Sequence, residues 1–277
     1  MKTLEIPRTV SEANETKNQV VVLTGAGGRF GHFLAERLLA ESRITTILLT
    51  SDPSKLRIEQ DPLPIIHRVE LSNPQSVSEI FGRIHDEQGD IDVLINNAAM
   101  TTVPGFNDFV ANADDTRVKE SFAVNCAGAL YCIKYTLNRG RDHDKKIINI
   151  LAGRALTGHV RHVEYYSSKA GLYNATKTLA NDYPRHYFRN IMSGRIDLGE
   201  GGDNPGSMWA FFRDFILDPN PPQYREIYFR NWLENFWHLL RYYVHHFRSC
   251  ERRDVIRNFT QLDRKKKLVS KFKRVLS

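Results

Sequence analysis

Gln19-Val20-Val21-Val22-Leu23-Thr24 runs directly into Gly25-Ala26-Gly27-Gly28-Arg29-Phe30-Gly31, and Phe33, Leu34, Leu38 and Leu39 follow at helical spacing. The first six residues are a continuous β-branched, apolar run, which suits a strand buried on both faces of a parallel sheet. Glycines in the turn permit positive φ and let backbone amides approach a pyrophosphate, whose charge is favoured at the N-terminus of the following helix. Strand, glycine turn and helix in this order point to a dinucleotide site, with Thr24, Gly25, Gly28, Arg29, Phe30 and Gly31 as candidate binding residues.

The same unit repeats downstream. Thr45 to Thr50 reads as a second strand ending at Ser51-Asp52. An acidic side chain at that edge would hold ribose hydroxyls and disfavour a 2′-phosphate, whereas Ser51 with Arg29, Lys55 or Arg57 nearby can accept one. Asp52 also reads as a turn residue ahead of Pro53, and the balance leans towards NADP over NAD. Pro64 to Leu71 gives a third strand, and Ser72-Asn73-Pro74 opens a helix through Val77, Ile80, Phe81 and Ile84. Asp92 to Ile95 is a fourth strand running into Asn96-Asn97-Ala98-Ala99, where Asn97 and Ala98 can pack close to a bound adenine. A helix is expected from about Thr116 to Leu137, with Asn125 as its odd polar residue. Lys146 to Leu151 is a fifth strand and Arg189 to Ser193 a sixth. Parallel neighbours need crossover helices, so the alternation specifies a Rossmann-type doubly wound parallel sheet flanked by helices.

Tyr165-Tyr166-Ser167-Ser168-Lys169 opens the next helix and is the expected chemical centre. Tyr165 and Lys169 stand four residues apart, on one face of a helix, so an ammonium can lie beneath a phenol. A phenol titrates near ~10, and a fixed positive neighbour is expected to lower that value, equipping Tyr165 to exchange a proton with a carbonyl or alcohol oxygen.

Composition bounds the alternatives. At 277 residues, with 41% hydrophobic and 26% charged residues, the chain fits one large soluble α/β domain or such a domain plus an appendage. No apolar run approaches the ~18 residues of a membrane span. Cys126, Cys132 and Cys250 form no CxxC pair, and His245-His246 has no metal-ligand spacing, so neither metal nor disulfide is expected and a cytoplasmic location is the default. The net charge is +7, and Arg264 to Ser277 alone carries seven basic residues and no acid. The basicity therefore describes a tail and argues against nucleic acid as a partner. Leu268, Phe272, Val275 and Leu276 give that tail some amphipathic character, which admits peripheral contact with anionic lipid.

Together, TGAGGRFG at Thr24 to Gly31, DVLINNAA at Asp92 to Ala99, VN at Val124-Asn125 and YYSSK at Tyr165 to Lys169 resemble the short-chain dehydrogenase/reductase family over roughly Gln19 to Asp197. The resemblance implies an NAD(P)-dependent oxidoreductase acting on a small carbonyl or alcohol substrate, and a homo-oligomer. It implies Tyr165 as general acid/base, Lys169 as ribose ligand that depresses the Tyr165 pKa, and Asn125 as support for a proton-relay water. The chain also departs from the family. The usual serine thirteen residues before the tyrosine is Ala152, with Thr157 a possible substitute in the same loop, and the customary Pro-Gly is Ser193-Gly194. A catalytically weakened cofactor-binding sensor or scaffold, or a non-redox enzyme of the same fold, therefore stays open.

The expected organisation is a flexible lead-in at 1–18, the nucleotide-binding domain at 19–202, an aromatic-rich lid or interface region at 203–263 and the basic tail at 264–277. The customary last strand is not recognisable, with Val255 to Thr260 a degenerate version of it. Thirteen aromatic residues lie between Ser207 and Phe247, and the spacing after Pro222 suggests a mainly helical extension.

Overall fold

The protein is described here by a computed structural model covering residues 18–59, 64–100, 115–139, 143–157, 162–194 and 205–229. Expectations for the lead-in, Gly199 to Asn204, the His245-His246 pair, Cys250, Val255 to Thr260 and the basic tail lie outside the described residues.

The strands are β1 (Gln19–Thr24), β2 (Ile44–Thr50), β3 (Ile65–Arg68), β4 (Val93–Asn96), β5 (Lys146–Ala152), β6 (Tyr187–Ser193) and β7 (Tyr224–Phe229). They form one seven-stranded sheet of order β3-β2-β1-β4-β5-β6-β7 in which every pairing is parallel. The helices are α1 (Arg29–Leu39), α2 (Pro74–Gln88), α3 (Asp115–Phe122), α4 (Ala129–Asn138), α5 (Val163–Asp182) and α6 (Pro205–Leu217).

Because side chains alternate along a strand, β1 sends Val20 and Val22 to one core and Val21 and Leu23 to the other. The first core takes Phe81 and Ile84 from α2, Ile133 from α4 and Leu172 from α5. The second takes Leu34 and Leu38 from α1 and Phe212, Phe215 and Ile216 from α6. The sheet is thus covered on both faces, as an all-parallel sheet requires. The strand order reverses between β1 and β4, and their splayed carboxyl ends open the crevice in which such sheets bind ligands.

Local signals set the element ends. Asn73 Oδ1 accepts from the Gln75 and Ser76 amides at 2.9 and 3.4 Å with Pro74 behind it, and Gly89 at φ 83° terminates α2. The helix expected across 116–137 is two helices, α3 and α4, joined by a π-helical turn at Ala123–Gly128. An extra residue in that turn rotates Asn125 into the interior.

The last strand corrects the sequence reading. Residues 224–229 were expected to continue a helical, aromatic surface, yet they pair with β6 from Phe188↔Tyr224 to Ser193↔Phe229. Tyr224 and Glu226 share the face towards α5 and form a polar cluster. Asn190 Nδ2 donates to the Tyr224 hydroxyl at 3.1 Å, and the hydroxyls of Tyr224 and Tyr173 each donate to Glu226 Oε1 at 2.8 Å. The face that a buried strand normally shows as apolar is polar here, which hid the strand's period. α6 is tied beneath the sheet by two cations. Lys146 Nζ donates to the carbonyls of Ile216 and Asp218 at the end of the helix, and the Arg189 guanidinium stacks 4.2 Å from the Phe215 ring centroid while donating to Pro222 O at 3.0 Å.

Candidate active site

The glycine turn is clamped to β4 by a set of partly buried hydrogen bonds. Thr24 Oγ1 accepts from the amides of Asn97 and Ala98, both at 3.1 Å, and donates to Ile95 O at 3.3 Å. Asn97 Nδ2 answers by donating to the carbonyls of Thr24 and Gly25 at 3.0 and 3.1 Å. Two glycines are required by this closeness. Gly25 has φ +68° and a Cβ on it would stand 2.6 Å from Ala98 Cα, while a Cβ on Gly31 would overlap the Gly25 carbonyl oxygen and reach 2.8 Å from Asn97 Nδ2. Gly28 caps α1 with no side-chain bond, so the first-turn amides stay directed at the crevice.

A cavity of about 820 Å³ opens over this turn, lined in part by Gly25, Arg29, Phe30, Gly31, Asn97 and Ala98. Eight of the nine expected cofactor residues that belong to the nucleotide half line it, Gly28 and Ser51 among them, and Thr24 stands behind them as the clamp. The concavity, the missing Cβ atoms and the helix N-terminus fit the pyrophosphate and adenosine half of a nicotinamide dinucleotide. At the β2 edge, Ser51 and Lys55 line the cavity. Asp52 is not among the lining residues. Its carboxylate accepts from Ser54 N at 3.1 Å and Ser54 Oγ at 2.6 Å and pairs with Lys55 Nζ at 3.5 Å, and the Ser54 bonds hold its pKa below the usual carboxylate value. These are the contacts expected of a turn residue ahead of Pro53. Glu70 and Ser72, after β3, also line the cavity and were not singled out in the sequence. Their signal was available, because every strand of an open α/β sheet delivers its carboxyl end to this crevice.

Across the reversal point lies the second group of residues. Asn125, only 1% exposed, has its Oδ1 accepting from Met100 N at 2.6 Å, and Nδ2 within reach of Met100 O, Ser121 Oγ and Ser168 Oγ at 3.0, 3.2 and 3.1 Å. Its amide thus fastens the chain leaving β4 to the π turn and to α5. Ser168 Oγ in turn donates to Tyr165 O at 2.8 Å, which links Asn125 to the turn of α5 that carries the tyrosine.

On α5, Lys169 is buried and Nζ donates to Ile150 O at 2.9 Å. Burial lowers its pKa to about 8, opposed in part by Cys126. The Tyr165 ring stands edge-on to Tyr166 with centroids 5.3 Å apart. Burial, reinforced by Tyr166, pushes the Tyr165 phenol up to about 12. This departs from the expectation that Lys169 depresses it. Desolvation of the phenolate is the larger cause, and the Lys169 ammonium is engaged by the β5 backbone at Ile150 O.

Ala152, the last residue of β5, is buried and pairs in register with Ser193, the last residue of β6. Ser193 Oγ donates to Leu151 O at 2.9 Å. Thr157 is exposed and lies five residues beyond the end of β5. Among the described residues, no group of three or more His, Cys, Asp or Glu side chains is arranged to hold a metal ion, and no helix is long and apolar enough to cross a membrane.

Comparison with known proteins adds an independent observation. Residues 19–197 match the family model described as short chain dehydrogenase. An uncharacterized oxidoreductase of Staphylococcus saprophyticus is 26% identical over 202 residues, covering 68% of this chain and 83% of that protein. A 3-oxoacyl-acyl-carrier-protein reductase of Aquifex aeolicus is 26% identical over 185 residues, covering 64% of this chain and 73% of its own. The solved structure of a short chain dehydrogenase from Leptospira borgpetersenii with bound NAD+ superposes with a TM-score of 0.68 at 17% identity, over 83% of this chain and 97% of that one.

Proposed function

The chain belongs to the short-chain dehydrogenase family, and from that premise we propose that it is an NAD(P)-dependent oxidoreductase interconverting a carbonyl and an alcohol, with Tyr165 as general acid/base and Lys169 beside it. One observation carries the reading. The glycine cradle with its cavity and the Asn125, Tyr165 and Lys169 group flank the same reversal of the sheet, each supplied by a carboxyl-end loop or the helix following one. The bound nicotinamide supplies hydride to the substrate carbon in one direction and accepts it in the other.

The side chains account for the rest. With its pKa near 12, Tyr165 holds its proton throughout neutral pH, so it is poised to donate to a substrate oxygen as negative charge develops there. Lys169, at about 8, is predominantly an ammonium at pH 7 and keeps positive charge one helical turn from the phenol. Asn125 positions the pair through Ser168 and holds Met100 at the mouth of the cavity. Ala98, Ala99 and Val124 give the cavity small apolar walls.

For the cofactor, the β2 edge supports NADP over NAD. Ser51 and Lys55 face the cavity with Arg29, while the Asp52 carboxylate is spent on its own turn. Titration with NADPH and NADH, followed by nicotinamide emission excited through tryptophan, tests both levels. Tighter binding of NADPH by about tenfold or more is expected, the scale of one charge-assisted contact. Equal affinities remove the NADP preference, and failure of both to bind removes the redox assignment.

The second reading, a cofactor sensor with weakened chemistry, draws on Ala152, which carries no donor where the family has a hydroxyl. It predicts cofactor binding with negligible turnover of every carbonyl probe.

A further inference from the structure

Charge that develops on a reacting oxygen is best stabilised by two preorganised donors reaching it from different directions, in a site that excludes water. Tyr165 provides one. The helix that carries it reaches β5 through Lys169 Nζ and Ile150 O, and at the carboxyl ends of the paired strands Ile150, Leu151 and Ala152 run beside Ile191, Met192 and Ser193. Five of those six side chains are hydrocarbon or thioether, and Ser193 has the hydroxyl.

Its placement is specific. Ser193 is the Cα partner of Ala152, and in-register neighbours of a parallel pair project to the same face of the sheet. The Ala152 side chain of that pair is a methyl, so Ser193 supplies the pair's one side-chain donor. Ser193 Oγ already leans across to β5, donating to Leu151 O at 2.9 Å, while Lys169 Nζ donates to the preceding carbonyl, Ile150 O, at 2.9 Å. The two polar groups therefore address consecutive peptide units of one strand. Ser193 is 7% exposed, sheltered enough for a hydroxyl dipole to act with little screening, whereas Thr157 is exposed and beyond the strand end.

We propose that Ser193 is the second oxygen-binding donor of this enzyme, its hydroxyl rotating from Leu151 O to the substrate oxygen opposite Tyr165 and so replacing, from β6, the donor that Ala152 lacks on β5. No bond is made or broken at Ser193. Its O–H stays intact, and the proton that neutralises the substrate oxygen comes from Tyr165. The inference rests on the oxidoreductase reading.

The test uses full-length protein loaded with the better-binding reduced cofactor and a panel of carbonyl probes: hexanal, 2,3-butanedione, acetophenone and 9,10-phenanthrenequinone. Wild type, Ser193→Ala, Ser193→Thr and the double variant Ser193→Ala/Ala152→Ser are compared for kcat, KM, cofactor Kd and melting temperature. Expected for Ser193→Ala is a fall in kcat of at least about thirtyfold, with cofactor Kd within about twofold and melting temperature held. Ser193→Thr keeps most of the rate, and Ala152→Ser restores it in the Ser193→Ala background. Trifluoroethanol binding to the oxidised-cofactor complex weakens in parallel, a readout independent of turnover. A Ser193→Ala rate within about twofold of wild type overturns the assignment. So does a cofactor-loaded wild type that turns over none of the probes, because a complete donor set is what the assignment asserts. Loss of cofactor binding in the wild type would instead overturn the nucleotide-site reading beneath it.

Discussion

Replacing Lys169 by methionine should stabilise the ligand-free protein at neutral pH while removing its chemistry. Lys169 is buried, and its pKa falls from 10.5 to about 8. At roughly 1.36 kcal/mol per unit, that displacement corresponds to about 3 kcal/mol by which the fold disfavours the ammonium relative to the unfolded chain. Methionine matches the length and apolar stem, carries no charge and gives up the bond to Ile150 O, worth about 1 kcal/mol. A net gain of about 2 kcal/mol at pH 7 follows. The pH dependence carries the sign. Below pH 8 lysine is protonated in both states and the penalty is complete. Between about 8 and 10.5 the unfolded chain holds the proton that the folded chain has released, so wild-type stability rises with pH and the penalty disappears. The methionine variant lacks that term, and its advantage should vanish by about pH 10. Tyr165, displaced from 10.0 to about 12, acts in the opposite sense and only above pH 10, outside this window. Lys146 is also depressed by burial, and subtracting variant from wild type cancels it. Urea unfolding at pH 7, 8, 9 and 10, followed by tryptophan fluorescence, reads the difference directly. A variant no more stable than wild type at pH 7, or an advantage that persists unchanged to pH 10, refutes the reasoning.

Other consequences are as definite. Thr24→Val removes the acceptor shared by the half-buried Asn97 and Ala98 amides and should cost about 1–3 kcal/mol in urea unfolding; a loss under about 0.5 kcal/mol would mean that the β1–β4 clamp is not holding. Gly31→Ala drives a methyl into the Gly25 carbonyl and the Asn97 amide, and should weaken NADPH binding by at least about tenfold in fluorescence titration. Unchanged affinity there would separate the glycine turn from the cofactor. Tyr165→Phe removes a neutral hydroxyl at pH 7, so cofactor affinity should stay within about twofold while turnover of any active carbonyl probe falls by at least about a hundredfold. A variant with wild-type turnover would release Tyr165 from its proposed role.

Much of the nucleotide half was readable because its causes are local. A glycine that needs φ +68°, an asparagine capping a helix ahead of proline, and apolar runs between crossover helices leave their mark within a few residues of the feature they produce. β7 was missed because its α5-facing side carries Tyr224 and Glu226, whose polarity is tolerable only when Asn190 and Tyr173 come to meet it. The π turn at Ala123–Gly128 left no mark either. Its single extra residue matters through where Asn125 then points, and Met100 and Ser168 are distant in sequence.

By itself the sequence determined the repeating strand and helix order, the glycine turn and the four-residue spacing of Tyr165 and Lys169, since backbone sterics and helical periodicity act between near neighbours. Tertiary structure decided the quantities that depend on what packs around a group. It turned Asp52 into its own turn, raised the Tyr165 pKa where a nearby lysine had suggested a fall, and brought Ser193 alongside Ala152 through strand register. Desolvation and cross-strand register are set by residues tens of positions away, so no window of sequence around a site contains them.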